Sequence, residues 1–449
     1  MSSPPTPTPA PDHAGALLVA AGEPGTASLP RSRLFDDGTR LAAADLHNHT
    51  LLSDGTGEPE DAFASLRGAG LQVAALTDHA ALGWGVFSRV DPCGPLRPTA
   101  HHGGCRAIIG LNDEGWVRTG ALADAADTPG AFTALRGFEW SHPLLGHLNV
   151  WFTGTWTDAL STTGIGWDGI ADEARRIPGL GPALDRILTA IPGDPGMSPF
   201  YEWLLRPPGT DRTGGGLEGL AGFNHPGREP GWFDAFRYDT RVADRIVSVE
   251  AFNKTDDYLF DDPTSSALVA CLNAGWRVGL TGVSDEHGND WGRPRGKGRT
   301  GLWVRELSRE GVRDALTARR FFATREHGLR LDAGVGGVRM GGTLAHRRGP
   351  VEVAVDLGHA TWSGRTVQVQ VLRPGELVPR VVHVEDVTLA GDDAPPARFT
   401  VDLDIDDGAW VVLRIADPVA VNDAPGPDGH PGNLRGLAYA SPVWLDPGG

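Results

Sequence analysis

The residues of this chain best suited to chemistry are imidazoles and carboxylates, set in short ordered groups. His47 and His49 are two apart, and Asp54 follows in the turn Ser53-Asp54-Gly55. His79 closes Thr77-Asp78-His79, and Glu139 lies in Gly137-Phe138-Glu139-Trp140. His147 precedes Leu148-Asn149-Val150, and His225 ends Gly222-Phe223-Asn224-His225. Asp285 and His287 are again two apart. Neutral imidazole and carboxylate suit Mn, Zn or Fe(II), and no thiolate belongs to the pattern. A carboxylate can bridge two ions, which an imidazole normally does not. One Glu among several His is therefore what a polynuclear hydrolase needs: ions about 3.5–4 Å apart hold a hydroxide and clamp the attacking and leaving oxygens. There is no G-x-S-x-G elbow and no P-loop, so covalent serine chemistry and nucleoside triphosphate hydrolysis are poorly supported.

The elements that must position these groups are legible as alternating runs. Residues 41–46 form a short apolar run ending in His47-Asn48-His49. Glu58-Pro59-Glu60-Asp61 opens a helix that Gly68 and Gly70 close, and 71–76 is the next strand. Strand, helix, strand in that order predicts a parallel sheet. Further strands are expected at 132–138, 147–152, 220–223, 245–251, 277–283 and 301–304, with helices at 265–274 and 310–320. Residues two apart on a strand share a face. In a parallel barrel the strand ends share one face too, where such enzymes build their sites. A lone histidine is more often structural than a ligand, and the weight here lies in nine groups at successive strand ends. His101, His102 and His142 sit in loop-like surroundings and read as solvent or lid residues.

The chain has 449 residues and a formal net charge of −17. That acidity argues against nucleic acid or an anionic membrane as the main partner and leaves a small-molecule substrate. Residues 1–38, rich in Pro, Ala, Thr and Gly, read as disordered. Residues 39–330 carry the barrel pattern, with insertions near 84–130 and 155–216. Residues 331–449 alternate with period two between turn residues, which predicts an antiparallel, sandwich-like all-β module. Cys93, Cys105 and Cys271 form no C-x-x-C pair, and so sparse and odd a set argues against a disulfide framework. No apolar run reaches the length of a membrane span, and the N-terminus lacks the basic start of a secretory signal, so a cytoplasmic protein is the default expectation.

Taken in order, Asp45-Leu46-His47-Asn48-His49-Thr50 with Ser53-Asp54-Gly55, Thr77-Asp78-His79, Asn224-His225-Pro226 and Ser284-Asp285-Glu286-His287 resemble the PHP (polymerase and histidinol phosphatase) superfamily. Gly137-Phe138-Glu139-Trp140, Gly146-His147-Leu148-Asn149 and the closing Ala440-Ser441-Pro442-Val443-Trp444-Leu445 resemble its carbaryl hydrolase-like branch, CehA/McbA. The resemblance implies a distorted (β/α)7 barrel holding two or three divalent ions. It implies one ion on His47, His49, Glu139 and Asp285, a second on Glu139, His147 and His225, and a third on Asp54, His79 and His287. Asp54 stands where some members carry His, which implies a third site that is weaker or that prefers a harder ion.

The expected activity is metal-dependent hydrolysis by a metal-held hydroxide, with Glu139 and Asp285 as the central carboxylates. Phosphoester hydrolysis comes first, and carbamate or carboxylic ester hydrolysis is the alternative. Arg228, three residues past His225, is the best candidate to meet an anionic substrate; Arg293, Arg295, Lys297 and Arg299 read more simply as solvated loop charges. A carbamate pocket would instead draw on Trp156, Trp167 and Trp203. A third alternative, of another class, is a metal-containing binding protein without catalysis, which an exposed aromatic row on the β module would favour.

Overall fold

In the computed structural model, residues 29–82, 91–163, 196–209, 214–293, 296–389, 391 and 395–447 are described. Residues 1–28, Trp167 and Arg295 lie outside them. The apolar runs of the N-terminal part become β1 (Arg40–Asp45), β2 (Val73–Leu76), β3 (Thr133–His142), β4 (Gly146–Trp151), β5 (Leu220–Phe223), β6 (Ile246–Asn253), β7 (Gly279–Val283), β8 (Arg299–Val304) and β9 (Phe321–Thr324). β1, β2 and β3 pair in parallel, and so do β5, β6 and β7. The two groups close toward each other at one end. Asn48, past β1, bridges Glu286, past β7, in parallel, and the His49 N–H donates to the Glu286 carbonyl at 2.9 Å. Both sets of strand ends thereby face one site.

The sheet is mixed, which departs from an uninterrupted (β/α)7 repeat. β4 runs antiparallel to both β3 and β5, and β8 runs antiparallel to β1. The cause at β4 is local. Only residues 143–145 separate it from β3, and so short a link can join antiparallel strands only. Gly146 makes the turn at φ +86°, where a Cβ would also lie 2.7 Å from the Phe233 ring.

Helix α1 (Pro59–Gly68) starts as its sequence asks, with Pro59, Glu60 and Asp61 in the first turn, and buries Ala62, Phe63 and Leu66. The 84–130 stretch holds α2 (Ala100–Ile109) and α3 (Asp113–Ala126); Asn112 caps α3 by accepting from the Gly115 N–H. Cys93 and Cys105 form a buried disulfide that ties the approach of α2 to the helix itself. This corrects the expectation drawn from the sparse cysteines. Among the described residues no helix is long and apolar enough to cross a membrane.

The C-terminal part is antiparallel. β10 (Arg330–Val335), β11 (Arg348–Gly358) and β14 (Ala397–Asp404) form one sheet, and β12 (Thr366–Arg373), β13 (Arg380–Thr388), β15 (Trp410–Val421) and β16 (Leu434–Ala440) belong to the other. Inward valines and leucines of both sheets, among them Val353, Val355, Val369, Val371 and Leu413, share one apolar cluster. The same cluster takes in Trp303 and Phe322, and β16 pairs antiparallel with β9, so the second sheet runs on into the N-terminal mixed sheet. Trp362, Trp410 and Trp444 are buried and form no exposed aromatic row.

Candidate metal centre

Glu139, in the second half of β3, is fully buried and touches histidines through both oxygens. Its Oε1 lies 3.2 Å from His47 Nε2, 3.3 Å from His147 Nδ1 and 3.3 Å from His225 Nε2. Its Oε2 lies 2.5 Å from His79 Nδ1 and 3.6 Å from His49 Nε2. Asp285 Oδ1 meets His49 Nε2 at 3.1 Å, His287 Nδ1 at 3.4 Å and His47 Nε2 at 3.5 Å. Asp54 Oδ1 meets His287 Nε2 at 3.3 Å and His79 Nε2 at 3.4 Å. The fold thus brings together all nine residues singled out from the sequence. His147 reaches the cluster because β4 is reversed, so its first residues lie where β3 ends.

Ligand atoms of His49, Asp54, His79 and His287 lie within 4.8 Å of one another, as do those of His47, His49 and Glu139, and those of His79, Glu139 and His147. The grouping differs in detail from the one the resemblance implies: His49 also faces the Asp54 group, and His79 stands between that group and Glu139. Five of the nine residues carry a buried atom without a well-directed hydrogen bond among the described residues, namely Asp54 Oδ1, Glu139 Oε2, His147 Nδ1, His225 Nδ1 and Asp285 Oδ1, and all of these but His225 Nδ1 face an imidazole or carboxylate of the cluster instead. Buried polar atoms are normally satisfied. Imidazole and carboxylate atoms that face one another without well-directed hydrogen bonds fit divalent ions.

The electrostatics agree. Burial opposes charge on Glu139, yet His79, His147 and His47 hold it well below the usual carboxylate range. Asp285 is likewise held down, against burial, by His47 and His49. Burial and the neighbouring His287 and His79 push His49 far down, which favours the neutral imidazole that ligates metal. Burial would lower His79 as well, but Asp54 and Glu139 raise it to about 9. A metal arriving there must displace its proton.

Several supporting residues gave little sign in the sequence. Glu250 lies on β6, buried throughout its length, and its Oε1 takes His47 Nδ1 at 2.8 Å. Its Oε2 accepts from the His225 backbone N–H at 2.6 Å and from Asn253 Nδ2 at 2.9 Å. A lone Glu in an apolar strand was the available signal. Asp78 accepts from Thr50 N–H at 2.7 Å and Ser53 Oγ at 2.7 Å, which fixes the turn that carries Asp54. Asn224 Nδ2 donates to Glu139 Oε1 at 2.7 Å. His225 and Asp285 adopt φ of +32° and +45°, strained for residues with a Cβ and typical of functional sites.

Two cations stand at the mouth. Lys254 Nζ lies 3.3 Å, and Arg228 Nη2 3.6 Å, from the same Asp285 Oδ2. Both side chains are partly exposed. Of the other basic candidates, Arg299 is buried against Asp45 at 2.8 Å and Lys297 pairs with Glu286, while Arg293 is exposed. His142 is not a lid or solvent residue. It is buried, its ring is stacked on Trp140, and Nδ1 accepts from the Leu144 and Leu145 N–H groups. His102 is buried on α2 and His101 is exposed there. Trp156 and Trp203 are core residues, 6 % and 2 % exposed.

No protein-family model and no curated protein matches the chain. Solved structures do. A two-domain protein containing a predicted PHP-like metal-dependent phosphoesterase from Bacteroides vulgatus is 15 % identical, with 91 % of this chain and 96 % of that one covered and a TM-score of 0.40. A protein of Bifidobacterium adolescentis described as a metal-dependent phosphoesterase is 16 % identical over 55 % of this chain and 88 % of its own, at TM-score 0.30. An amidohydrolase of Chromobacterium violaceum with bound sulfate is 16 % identical over 56 % of this chain and 89 % of its own, at TM-score 0.28.

Proposed function

We propose that the chain is a PHP-type metal-dependent hydrolase and that it acts on a phosphoester. The observation that carries the choice of substrate is the convergence of Arg228 and Lys254 on Asp285 Oδ2, beside the ligand cluster. Divalent ions, Mn, Zn or Fe in two or three places on the nine ligands, supply Lewis acidity and a nucleophile available at neutral pH. Glu139 and Asp285 set the spacing of the ligand groups, and Glu250 orients His47. His47, His49, Glu139, His225 and Asp285 form a buried floor. His147 and His287 are more open, so a substrate approaches from the side where the two cations stand. A guanidinium fork and an ammonium match the non-bridging oxygens of a phosphoryl group.

A carbamate or ester hydrolase would need an apolar wall for its acyl or aryl part. Trp156 and Trp203, buried in the core, offer no such surface. The test is kcat/KM on one aryl phosphate and one aryl carbamate for the wild type, Arg228→Ala and Lys254→Ala. Each substitution should cost about 2–4 kcal/mol of transition-state stabilisation on the phosphate, as loss of a preorganised donor does. Fast carbamate turnover that ignores both substitutions would install the alternative.

A further inference from the structure

A second constellation lies on the other face of β3, where α3 covers the strand, and the metal chemistry makes no use of it. Arg136 precedes Glu139 by three residues, roughly 10 Å along the strand, so the two side chains leave opposite faces. Its guanidinium is partly buried and held in place. One face covers the Trp116 ring of α3, with Cζ 3.9 Å from the centroid. Gly120 of α3 lies so close that a Cβ there would be 2.6 Å from Nη1. Nη2 reaches the Thr153 carbonyl at 3.5 Å, the outer limit of a hydrogen bond. Nε and Nη1 have no partner among the described residues, and neither is closed off from solvent. Asp124 is the one acid among the described residues that acts on Arg136, and it is already paired with Arg309 Nη1 at 2.7 Å. Burial pulls Arg136 below the ordinary arginine range, Asp124 offsets part of this, and Arg309 adds to it.

Arg136 opens onto a cavity of about 370 Å³, whose charged lining is Arg136, Arg309 and Asp124 and whose apolar wall is Val117, Ala121, Leu135 and Phe152. None of the nine candidate metal ligands lines it. Two guanidinium groups and one carboxylate leave one positive charge there without a counter-charge. Nη2 carries two hydrogens and Thr153 takes one, so a fork of parallel donors stays free, made with Nε or with Nη1. Such a fork matches the two oxygens of a carboxylate. A dianion would leave a surplus negative charge beside Asp124, and a cation would face two arginines. A few charged groups set in an apolar wall suit a small molecule with an apolar body. We propose that this cavity binds a small monocarboxylate with a compact apolar body, its carboxylate on Arg136 and its body against Val117, Leu135 and Phe152.

The test is isothermal titration calorimetry on the full chain with benzoate, isobutyrate, benzyl alcohol and inorganic phosphate at constant ionic strength. Because carboxylates also ligate metals, each titration is repeated after treatment with EDTA. Benzoate or isobutyrate should bind at one site per chain, unchanged by chelation, and at least tenfold more tightly than benzyl alcohol. Arg136→Met should weaken that binding at least tenfold. Ala121→Trp, at an exposed position of α3 on the cavity rim, should do the same without touching Arg136, and it keeps the test decisive if Arg136→Met folds poorly. Arg228→Ala, at the mouth of the metal centre, should leave the carboxylate affinity unchanged. Absence of binding by both carboxylates, binding lost on chelation or in Arg228→Ala, phosphate binding that Arg136→Met abolishes, or affinity unchanged in Ala121→Trp each overturns the proposal.

Discussion

At the scale of single residues the centre depends on Glu139, which touches five histidines from one side chain. Replacing it with Ala should abolish turnover, whereas His142→Ala, whose ring packs on Trp140 and has no contact with Glu139 or Asp285 among those described, should keep most of it. Near-normal activity in Glu139→Ala would refute the assignment. Glu250→Gln should loosen metal about 10- to 100-fold, the usual cost of losing the group that orients a ligating histidine; competition with a chelator reads this directly. The nine candidate ligands stood out in the sequence because imidazoles and carboxylates recur at strand ends, twice as pairs two apart. Glu250 and Lys254 were not, since nothing in a single strand tells which neighbour its side chain will meet. Arg299 shows the converse: it reads as a loop charge, but in the fold it is a buried partner of Asp45.

At the scale of elements, hydrophobic runs placed most strands and the main helices near their observed positions, because period and turn residues are local properties. Direction is not local, and so the reversal of β4 was invisible. Equally hidden was the turn at Phe233, Asp234, Ala235 and Phe236, all left-handed with φ between +52° and +58° and none of them glycine. Such a turn is strained, and tertiary packing must hold it. It presents Trp232, whose ring stacks on His147 at 5.4 Å between centroids and lies 5.5 Å from His225. Trp232→Ala should release those two imidazoles and lower the bound metal by about one equivalent, with the fold retained by circular dichroism. Full metal content in that variant would show that the stacking is incidental to the centre.

At the scale of the whole molecule, the N-terminal α/β part and the β module share a sheet through β9 and β16 and an apolar cluster through Trp303 and Phe322. The change of texture near residue 330 is plain in the sequence, but the shared sheet is not, because the pairing joins segments more than a hundred residues apart. A chain ending at residue 331 would expose the edge of β9 and that apolar face, so it should aggregate or lose its cooperative melting transition. A monomeric, fully active truncated protein would contradict the shared core. The measurement that bears most directly on the central claim is elemental analysis of the purified full-length protein, prepared aerobically and anaerobically and again after reconstitution. The nine converging candidate ligands predict two to three equivalents of Mn, Fe or Zn per chain. Less than one equivalent under all of these conditions would contradict a polynuclear metal centre.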